Sequence, residues 1–320
     1  MGRFHATALA HSAAVDVIAV AEPAADSVAA AGNSIDAATV YPTAEEAFAH
    51  PGVEGCLIAS PTPSHPALVR SAFAAGLHVL CEKPLSLDPA ESRDLETERD
   101  GLILQVGFWR RFSPPWRAAA NAIRAGRIGR PLLVRLSQWD ADPPPPAFCD
   151  PAVSGGIAID CGVHEFDLAE WLTGLTVETV QAWNLPTVDP EVAAAGDVDN
   201  LVVALRLEGG ALATVDLSRN SRYGDDVRTE ILGSDGAILI DLLPTGRARI
   251  GAASGMEILA GSETDDATAA GVIGQMEAFA AAVRGAGPEL PDAAASARAT
   301  EIAIAATVAA AGGDVISVAP

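Results

Sequence analysis

Short apolar runs alternate with segments of helical spacing through the first third of the chain. The pattern predicts strands near Thr39 and over 15–21, 55–60, 78–81 and 102–108. Between these strands it predicts helices over 2–12, 24–31, 66–75 and 89–99. Strands that alternate with helices in this way form a parallel sheet with helices on both faces. The sequence therefore predicts a doubly wound α/β domain over 1–108.

Beyond Phe108 the strands become longer and tight turns join them. Strands over 200–207 and 211–218 flank Gly209-Gly210 and predict an antiparallel hairpin. Further strands are predicted over 132–139, 177–183, 227–232 and 237–241, and Ala-rich helices over 267–283 and 292–311. Four prolines, Pro143 to Pro146, predict a stiff extended loop. We expect residues 109–320 to form an α+β domain with an open, mostly antiparallel sheet and C-terminal helices, for substrate binding and oligomerisation.

The start of the chain resembles a dinucleotide-binding domain that lacks its first strand. Such a domain begins with a strand, a GxGxxG turn and a helix, and its second strand ends in an acidic residue that holds ribose hydroxyls. Glu22 fits that acidic position, and Gly2 fits the third glycine. We therefore expect a Rossmann-type sheet, with Met1 internal to a longer reading frame that encodes the missing strand and GxG. The alternative is a short form that binds dinucleotide weakly.

The composition favours a globular protein without nucleic-acid or membrane partners. Of 320 residues, 49% are hydrophobic and 19% are charged, which suits a large core. Twenty basic residues against 42 acidic ones give a net charge of −22, which repels phosphate backbones and anionic lipids. No apolar run approaches the roughly 18 residues of a membrane span. Four irregularly spaced cysteines without a CxxC pair indicate reduced thiols and a cytoplasmic protein.

The basic residues themselves single out one position. Lys83 is a lysine, and the other nineteen are arginines. Arginine stays protonated in proteins, whereas a lysine ammonium is compact and its pKa shifts easily, as a catalytic proton relay requires. A stray lysine without a function is the alternative.

Three segments carry candidate chemistry in a fixed order. They are Ser60-Pro-Thr-Pro-Ser-His65, Cys81-Glu-Lys-Pro84 and Gly155-Gly-Ile-Ala-Ile-Asp-Cys-Gly-Val-His-Glu-Phe-Asp167. Together they resemble the Gfo/Idh/MocA oxidoreductases, the superfamily of glucose–fructose oxidoreductase and inositol dehydrogenase. The run Gly107-Phe-Trp-Arg-Arg-Phe112, with Val163-His-Glu-Phe-Asp167, is similar to the inositol 2-dehydrogenase branch.

The third segment places its polar residues at helical spacing. Asp160, His164 and Asp167 stand at i, i+4 and i+7 and would share one face of a helix that starts at Gly155-Gly156. The resemblance implies that Asp160 and His164 face the substrate and that Asp167 supports them. It also implies that Lys83 lies between the nicotinamide ribose and the substrate hydroxyl, with a cis Lys83–Pro84 bond. A buried, hydrogen-bonded histidine is the ordinary alternative.

These residues define an expected NAD-dependent oxidation of a secondary alcohol in a cyclic polyol or sugar. In this hypothesis His164 removes the hydroxyl proton, Lys83 stabilises the alkoxide and Asp160 orients His164 or accepts a substrate hydroxyl. Glu22 favours NAD over NADP because a carboxylate repels a 2′-phosphate. The expected cofactor-binding residues are Gly2, Glu22, Ser60, Thr62, His65, Glu82 and Lys83. Candidate substrate residues are Trp109, Arg110, Gln138, Asp140 and Tyr223.

Three alternatives remain open at this point. Another sugar dehydrogenase or reductase would use the same residues, and a sensor that binds NAD or sugar without turnover would keep the same two-domain frame. Zinc ligands from Cys149, Cys161 and His164 are disfavoured because Cys161 would point off the helix face of His164. The apolar outer face expected of an open sheet, together with the resemblance, predicts a homo-oligomer, either a dimer or a tetramer.

Overall fold

The chain folds into two compact units. A computed structural model describes residues 2–9, 12–24, 38–141, 143–241, 247–253, 255–261, 266–288 and 290–319. The first unit comprises Met1–Trp109 and Gly271–Ala297, and the second comprises Arg110–Ala270 and Arg298–Pro320.

The described part of the first unit contains two short parallel sheets. Strand β1 (Ala19–Ala21) pairs with β2 (Thr39–Tyr41), and β3 (Gly55–Ile58), β4 (His78–Cys81) and β5 (Leu104–Val106) pair in that order. Up to residue 109, its described helices are α1 (Gly2–Leu9), α2 (Ala44–Phe48), α3 (His65–Ala74) and α4 (Pro89–Glu98). The strands of each sheet run in one direction, so their carboxyl ends meet at one edge, where parallel sheets bind ligands.

The core of the first unit joins segments from both ends of the chain. Leu9 of α1 and Leu80 of β4 pack with Met276 and Phe279 of helix α10 (Ala267–Val283). Leu80 is fully buried, so its aliphatic surface contributes about 1.5–3 kcal/mol to folding. This packing explains why a segment near the C-terminus belongs to the first unit.

The described part of the second unit is built on a sheet of nine strands. Their order is β13-β12-β11-β10-β6-β9-β8-β7-β14, and every neighbouring pair is antiparallel except β6 and β9. The strands are β6 (Pro131–Trp139), β7 (Val177–Asn184), β8 (Asn200–Leu207), β9 (Leu212–Ser218), β10 (Asp226–Gly233), β11 (Gly236–Asp241), β12 (Arg247–Ala252), β13 (Gly255–Ala260) and β14 (Ile316–Ser317).

One face of this sheet is buried under helices. The helices of the second unit are α5 (Pro114–Arg124), α6 (Pro151–Ser154), α7 (Gly156–Asp160), α8 (Gly162–Thr173) and α9 (Pro190–Ala194), and α11 (Ala293–Gly312) ends in it. Helix α8 packs on β6 and β9, where Val134 and Val215 are fully buried. Period-2 burial along these strands accounts for the alternating pattern of the sequence.

The predicted fold class is confirmed, a parallel-sheet domain with a mostly antiparallel open sheet. The strand expected over 15–21 is shorter, Ala19–Ala21. The expected helix over 24–31 lies, apart from Ala24, outside the described residues. Helix α5 and strands β12 and β13 were not predicted. None of the described helices has the length and apolar character that a membrane span needs.

Candidate active site

Lys83 is the second residue after β4, in a loop that a buried carboxylate holds. Glu82 is 4% exposed, and its Oε1 lies 2.6 Å from Nε2 of His5 in α1. Its Oε2 accepts the backbone N–H of Lys83 at 3.2 Å. The Lys83–Pro84 peptide bond is cis, as the resemblance implies. The contacts of Glu82 therefore tie helix α1 to the loop that presents Lys83.

The loops after β3 and β4 are joined through His65. Its Nδ1 lies 2.9 Å from the carbonyl oxygen of Pro84, and its Nε2 lies 2.9 Å from that of Ser60. Burial lowers the pKa of His65, although the two backbone hydrogen bonds oppose this shift. A neutral imidazole has one N–H and donates to one of these carbonyls at a time. In the structure His65 connects the backbone of the two loops, so any cofactor contact stays a prediction.

The polar groups that follow β1 and β3 also suit a dinucleotide. Ser64 donates its hydroxyl to the carbonyl of Pro61 at 2.7 Å, so Ser60 donates to Ser64 at 2.6 Å and keeps its own oxygen as an acceptor. Thr62 is buried in the same turn. Glu22 follows β1 and accepts the N–H of Ala24 at 2.9 Å. A carboxylate, hydroxyls and an ammonium at the carboxyl ends of parallel strands are the donor and acceptor set that ribose and phosphate groups need.

In the second unit, Asp160 and His164 lie on two consecutive helices. The expected single helix is wrong, because α7 ends at Asp160 and α8 begins at Gly162, with Cys161 between them. Cys161 keeps right-handed helical dihedrals (φ −91°, ψ −48°), so the two residues remain about one turn apart. Gly155 and Gly156 both have positive φ and start α7, as predicted. His164 is 6% exposed.

Asp140 lies next to this helix break. Cys161 Sγ is 3.3 Å from Asp140 Oδ2, and Gln138 Nε2 donates to Asp140 Oδ1 at 3.1 Å. Burial raises the pKa of Asp140, the two hydrogen bonds oppose the shift, and the charge of Asp160 adds to it. The structure thus brings Gln138, Asp140 and Asp160 together in the second unit.

Arg110 is buried on the same side of the sheet. Its guanidinium pairs with Glu165, donates to Gln138 Oε1 at 2.7 Å and lies over the ring of Trp116. Burial raises the pKa of Glu165, and the charge of Arg110 opposes that shift. These contacts give Arg110 a local role in holding α8, and its predicted contact with substrate remains a prediction.

The other candidate residues lie elsewhere. Tyr223 is 68% exposed and donates to Asp226 Oδ2 at 2.6 Å. Asp226 pairs with Trp139 in the sheet, on the face opposite Gln138, so the structure does not bring Tyr223 to Asp160. Trp109 is buried at the end of the first unit. Asp167 accepts two hydrogen bonds from Arg111, which fits its predicted supporting role.

One important residue, Arg219, was not predicted from the sequence. It is fully buried and pairs with both Asp160 and Asp197. No local motif marks it, since it is one of nineteen arginines and its partners are distant in sequence. Within the described residues, no cluster of three or more His, Cys, Asp and Glu side chains has the geometry of a metal site.

The fold agrees with a comparison against family profiles. Residues 1–108 match the profile described as an oxidoreductase family with an NAD-binding Rossmann fold, and residues 116–239 match the GFO/IDH/MocA C-terminal domain. The chain therefore belongs to the GFO/IDH/MocA oxidoreductase family.

Two individual relatives and one solved structure are similar to this chain. The chain is 41% identical over 203 residues to myo-inositol 2-dehydrogenase of Thermotoga maritima, an alignment that covers 63% of this chain but only 60% of that relative. It is 38% identical over 239 residues to the rhizopine catabolism protein MocA of Rhizobium meliloti, covering 74% of each. A crystal structure of scyllo-inositol dehydrogenase from Lactobacillus casei, with bound NAD(H) and scyllo-inositol, is similar to this chain with a TM-score of 0.84 and 25% sequence identity. The aligned region covers 99% of this chain and 95% of that chain.

Proposed function

We propose that this protein is an NAD-dependent oxidoreductase that oxidises a ring hydroxyl of a cyclic polyol, with an inositol as its substrate. The observation that carries the proposal is the pair Asp160 and His164, about one helical turn apart on α7 and α8. Membership of an oxidoreductase family supports it, as do relatives named for the oxidation of inositols.

The chain supplies an acid–base pair and a cation to this reaction. His164 takes the proton of the substrate hydroxyl, and the Lys83 ammonium donates a hydrogen bond to the oxygen as it gains negative charge. Asp160 orients the base or accepts a neighbouring hydroxyl of the polyol. When bound, NAD⁺ would supply the acceptor for the hydride of the carbinol carbon. The overall change converts CH–OH to C=O, with the proton on His164.

The residues that would hold NAD lie in the first unit. Glu22 would accept hydrogen bonds from the ribose hydroxyls, and Ser60 and Thr62 would contact ribose or phosphate oxygens. The N-terminal turn of α1, at Gly2, would face the pyrophosphate. Because a carboxylate repels a 2′-phosphate, Glu22 supports NAD over NADP.

Spectrophotometry at about 340 nm tests this function, with NAD⁺ and a panel of inositols and aldoses. We expect NADH formation with at least one inositol. We expect His164→Ala to lower kcat by about 10²- to 10⁴-fold, because the general base is lost, while NADH binding, followed by its fluorescence, stays near wild type. His50→Ala, a histidine that contacts Tyr41, is the matched control and keeps wild-type kcat. Unchanged turnover in His164→Ala would refute the assignment of the base.

The same assay distinguishes two other functions. Turnover of aldoses with no turnover of inositols would identify a sugar dehydrogenase that uses the same residues. NADH binding without turnover of any member of the panel would identify a sensor. Intact Lys83, Asp160 and His164 favour an enzyme over a sensor.

A homo-oligomer is part of the proposal, and a cytoplasmic location accompanies it. The face of the nine-stranded sheet away from the helices exposes large apolar side chains, among them Trp183, Leu212 and Leu232. The strand register puts these three side chains on that same face. Apolar patches of this kind are typical of subunit interfaces. Light scattering after size-exclusion chromatography measures the mass, and a monomer would refute this part.

A further inference from the structure

Arg219, directly after β9, holds the carboxylate of Asp160. Its guanidinium is buried (0% exposed); Nη2 donates to Asp160 Oδ2 at 3.1 Å and Nη1 donates to Asp197 Oδ2 at 2.9 Å. Its backbone N–H donates to the carbonyl of Asp199 at 2.9 Å, which fixes the base of the side chain. Removal of one partner of a buried ion pair is strongly destabilising, because it leaves an uncompensated buried charge. The positions of Asp160 and Arg219 therefore depend on each other.

Asp197 extends this contact to the other end of α7. Its Oδ1 accepts the N–H of Ile157, in the first turn of the helix, at 3.2 Å, whereas Asp160 is the last of the five residues. Gly156 approaches so closely that a Cβ there would lie 2.9 Å from Asp197 Oδ1. The group Asp197–Arg219–Asp160 thus fastens both ends of the short helix that carries Asp160.

The positive charge of Arg219 also offsets the repulsion between the carboxylates of Asp140 and Asp160. Cys161 Sγ lies 3.3 Å from Asp140 Oδ2 and 3.8 Å from Asp160 Oδ2, so two carboxylates flank one thiol and repel each other. Burial opposes the positive charge of Arg219, but Cys161, Asp160 and Asp197 together raise its pKa above the ordinary value. The guanidinium is therefore a permanent counter-charge that keeps the Asp160 carboxylate from turning away from Asp140.

We propose that Arg219 is a positioning residue for the reaction, because it fixes the carboxylate of Asp160 relative to His164 on the next helix. The inference rests on the proposed function, in which Asp160 and His164 act on the polyol. Arg219 itself is buried and acts through Asp160. Its loss should therefore reduce kcat far more than it changes KM.

A double-mutant cycle with Arg219→Gln and Asp160→Asn tests the inference, with kcat and KM measured for NAD⁺ and myo-inositol. We expect Arg219→Gln to lower kcat by about 10- to 100-fold, since small displacements of reacting groups have effects of that size. In the Asp160→Asn background the same change should alter kcat by less than about two-fold, because no carboxylate remains to be positioned. Losses that multiply would overturn the inference and leave the proposed function intact. Wild-type kcat in Asp160→Asn would instead refute the proposed role of Asp160, and the inference with it.

Further variants cover the case in which Arg219→Gln does not fold. Asp197→Asn leaves Arg219 in place but removes a charge that holds it, and Arg219→Lys keeps the charge but loses the forked geometry. Each of these substitutions should lower kcat when it is made in the wild-type chain and should leave kcat nearly unchanged when it is added to Asp160→Asn. If they lower it in both backgrounds, the inference fails.

Arg298→Lys is the matched control, at a partly buried arginine that also pairs with a carboxylate of the second unit. Arg298 Nε donates to Glu170 Oε1, on α8, at 3.1 Å, the same distance as in the pair of Arg219 with Asp160. The variant disturbs the helix of His164 without touching Asp160. We expect wild-type kcat, and a loss as large as that of Arg219→Lys would show that any disturbance of the second unit has this effect and would overturn the inference.

Discussion

At the scale of single residues, Asp140 is a group whose ionisation opposes folding. Burial raises the pKa of Asp140 in the folded protein above its ordinary value of 3.8. The folded state therefore binds this proton more tightly than the unfolded chain does. The contribution of Asp140 to stability is full below that ordinary value and is lost as the pH rises through the raised pKa of the folded state.

Asp140→Asn should remove this dependence, because an amide does not titrate. We expect the free energy of unfolding of the wild type to decline from pH 3.8 upwards relative to that of the variant. Urea unfolding of both proteins at a series of pH values measures the difference. If the two profiles run parallel over the whole series, the buried carboxyl is not the cause.

At the scale of elements, helix α7 requires glycine where it begins. Gly156 has a φ of +74°, in the left-handed region, and a Cβ there would lie 2.9 Å from Asp197 Oδ1. Gly174, which ends α8, also has a positive φ (+68°), but a Cβ there would meet no atom within 4 Å. Alanine substitutions at the two positions therefore distinguish the cost of backbone strain from the cost of a steric clash with Asp197.

Gly156→Ala should therefore destabilise the protein more than Gly174→Ala does. Backbone strain alone accounts for about 1–2 kcal/mol at either position, and the clash with Asp197 adds to it only at the first. Gly156→Ala should also lower kcat, because Asp197 holds Arg219. Thermal unfolding and steady-state kinetics of the two variants check this, and equal destabilisation would contradict the role of Asp197.

Elements with a strong local pattern could be predicted from the sequence, and elements set by distant contacts could not. The hairpin of β8 and β9 follows from period-2 alternation around Gly209-Gly210. Helix α5 was not predicted, and its packing depends on a distant contact, since Trp116 is fully buried and donates to Thr229, far along the chain.

The same distinction between local pattern and distant contacts applies to the candidate site. Asp160 and His164 are four positions apart in sequence, and this spacing predicted that they lie on adjacent turns of a helix. The pairing of Arg219 with Asp160 spans 59 positions and has no period that a sequence could display. The helix break at Cys161 also escaped prediction, because the segment has no proline and its apolar spacing runs through it.

At the scale of the whole molecule, the net charge of −22 acts on every carboxylate at once. Uniform negative charge destabilises a compact state through self-repulsion, and salt screens it over about 10 Å at 0.1 M. We expect the melting temperature at neutral pH to rise by a few degrees, on the order of 2–5 °C, between about 0.02 and 0.3 M NaCl. The increment should shrink near pH 5, where carboxylates begin to take up protons. A melting temperature that falls with salt would show that attractive ion pairs outweigh the repulsion.

The single lysine has a practical consequence. Because no other side chain carries a primary amine, reagents that acylate or reductively alkylate amines reach only the loop after β4 and the chain terminus. Covalent dye attachment or immobilisation through amines would then report on the loop that carries Lys83, whereas the same chemistry modifies many surface positions in most proteins.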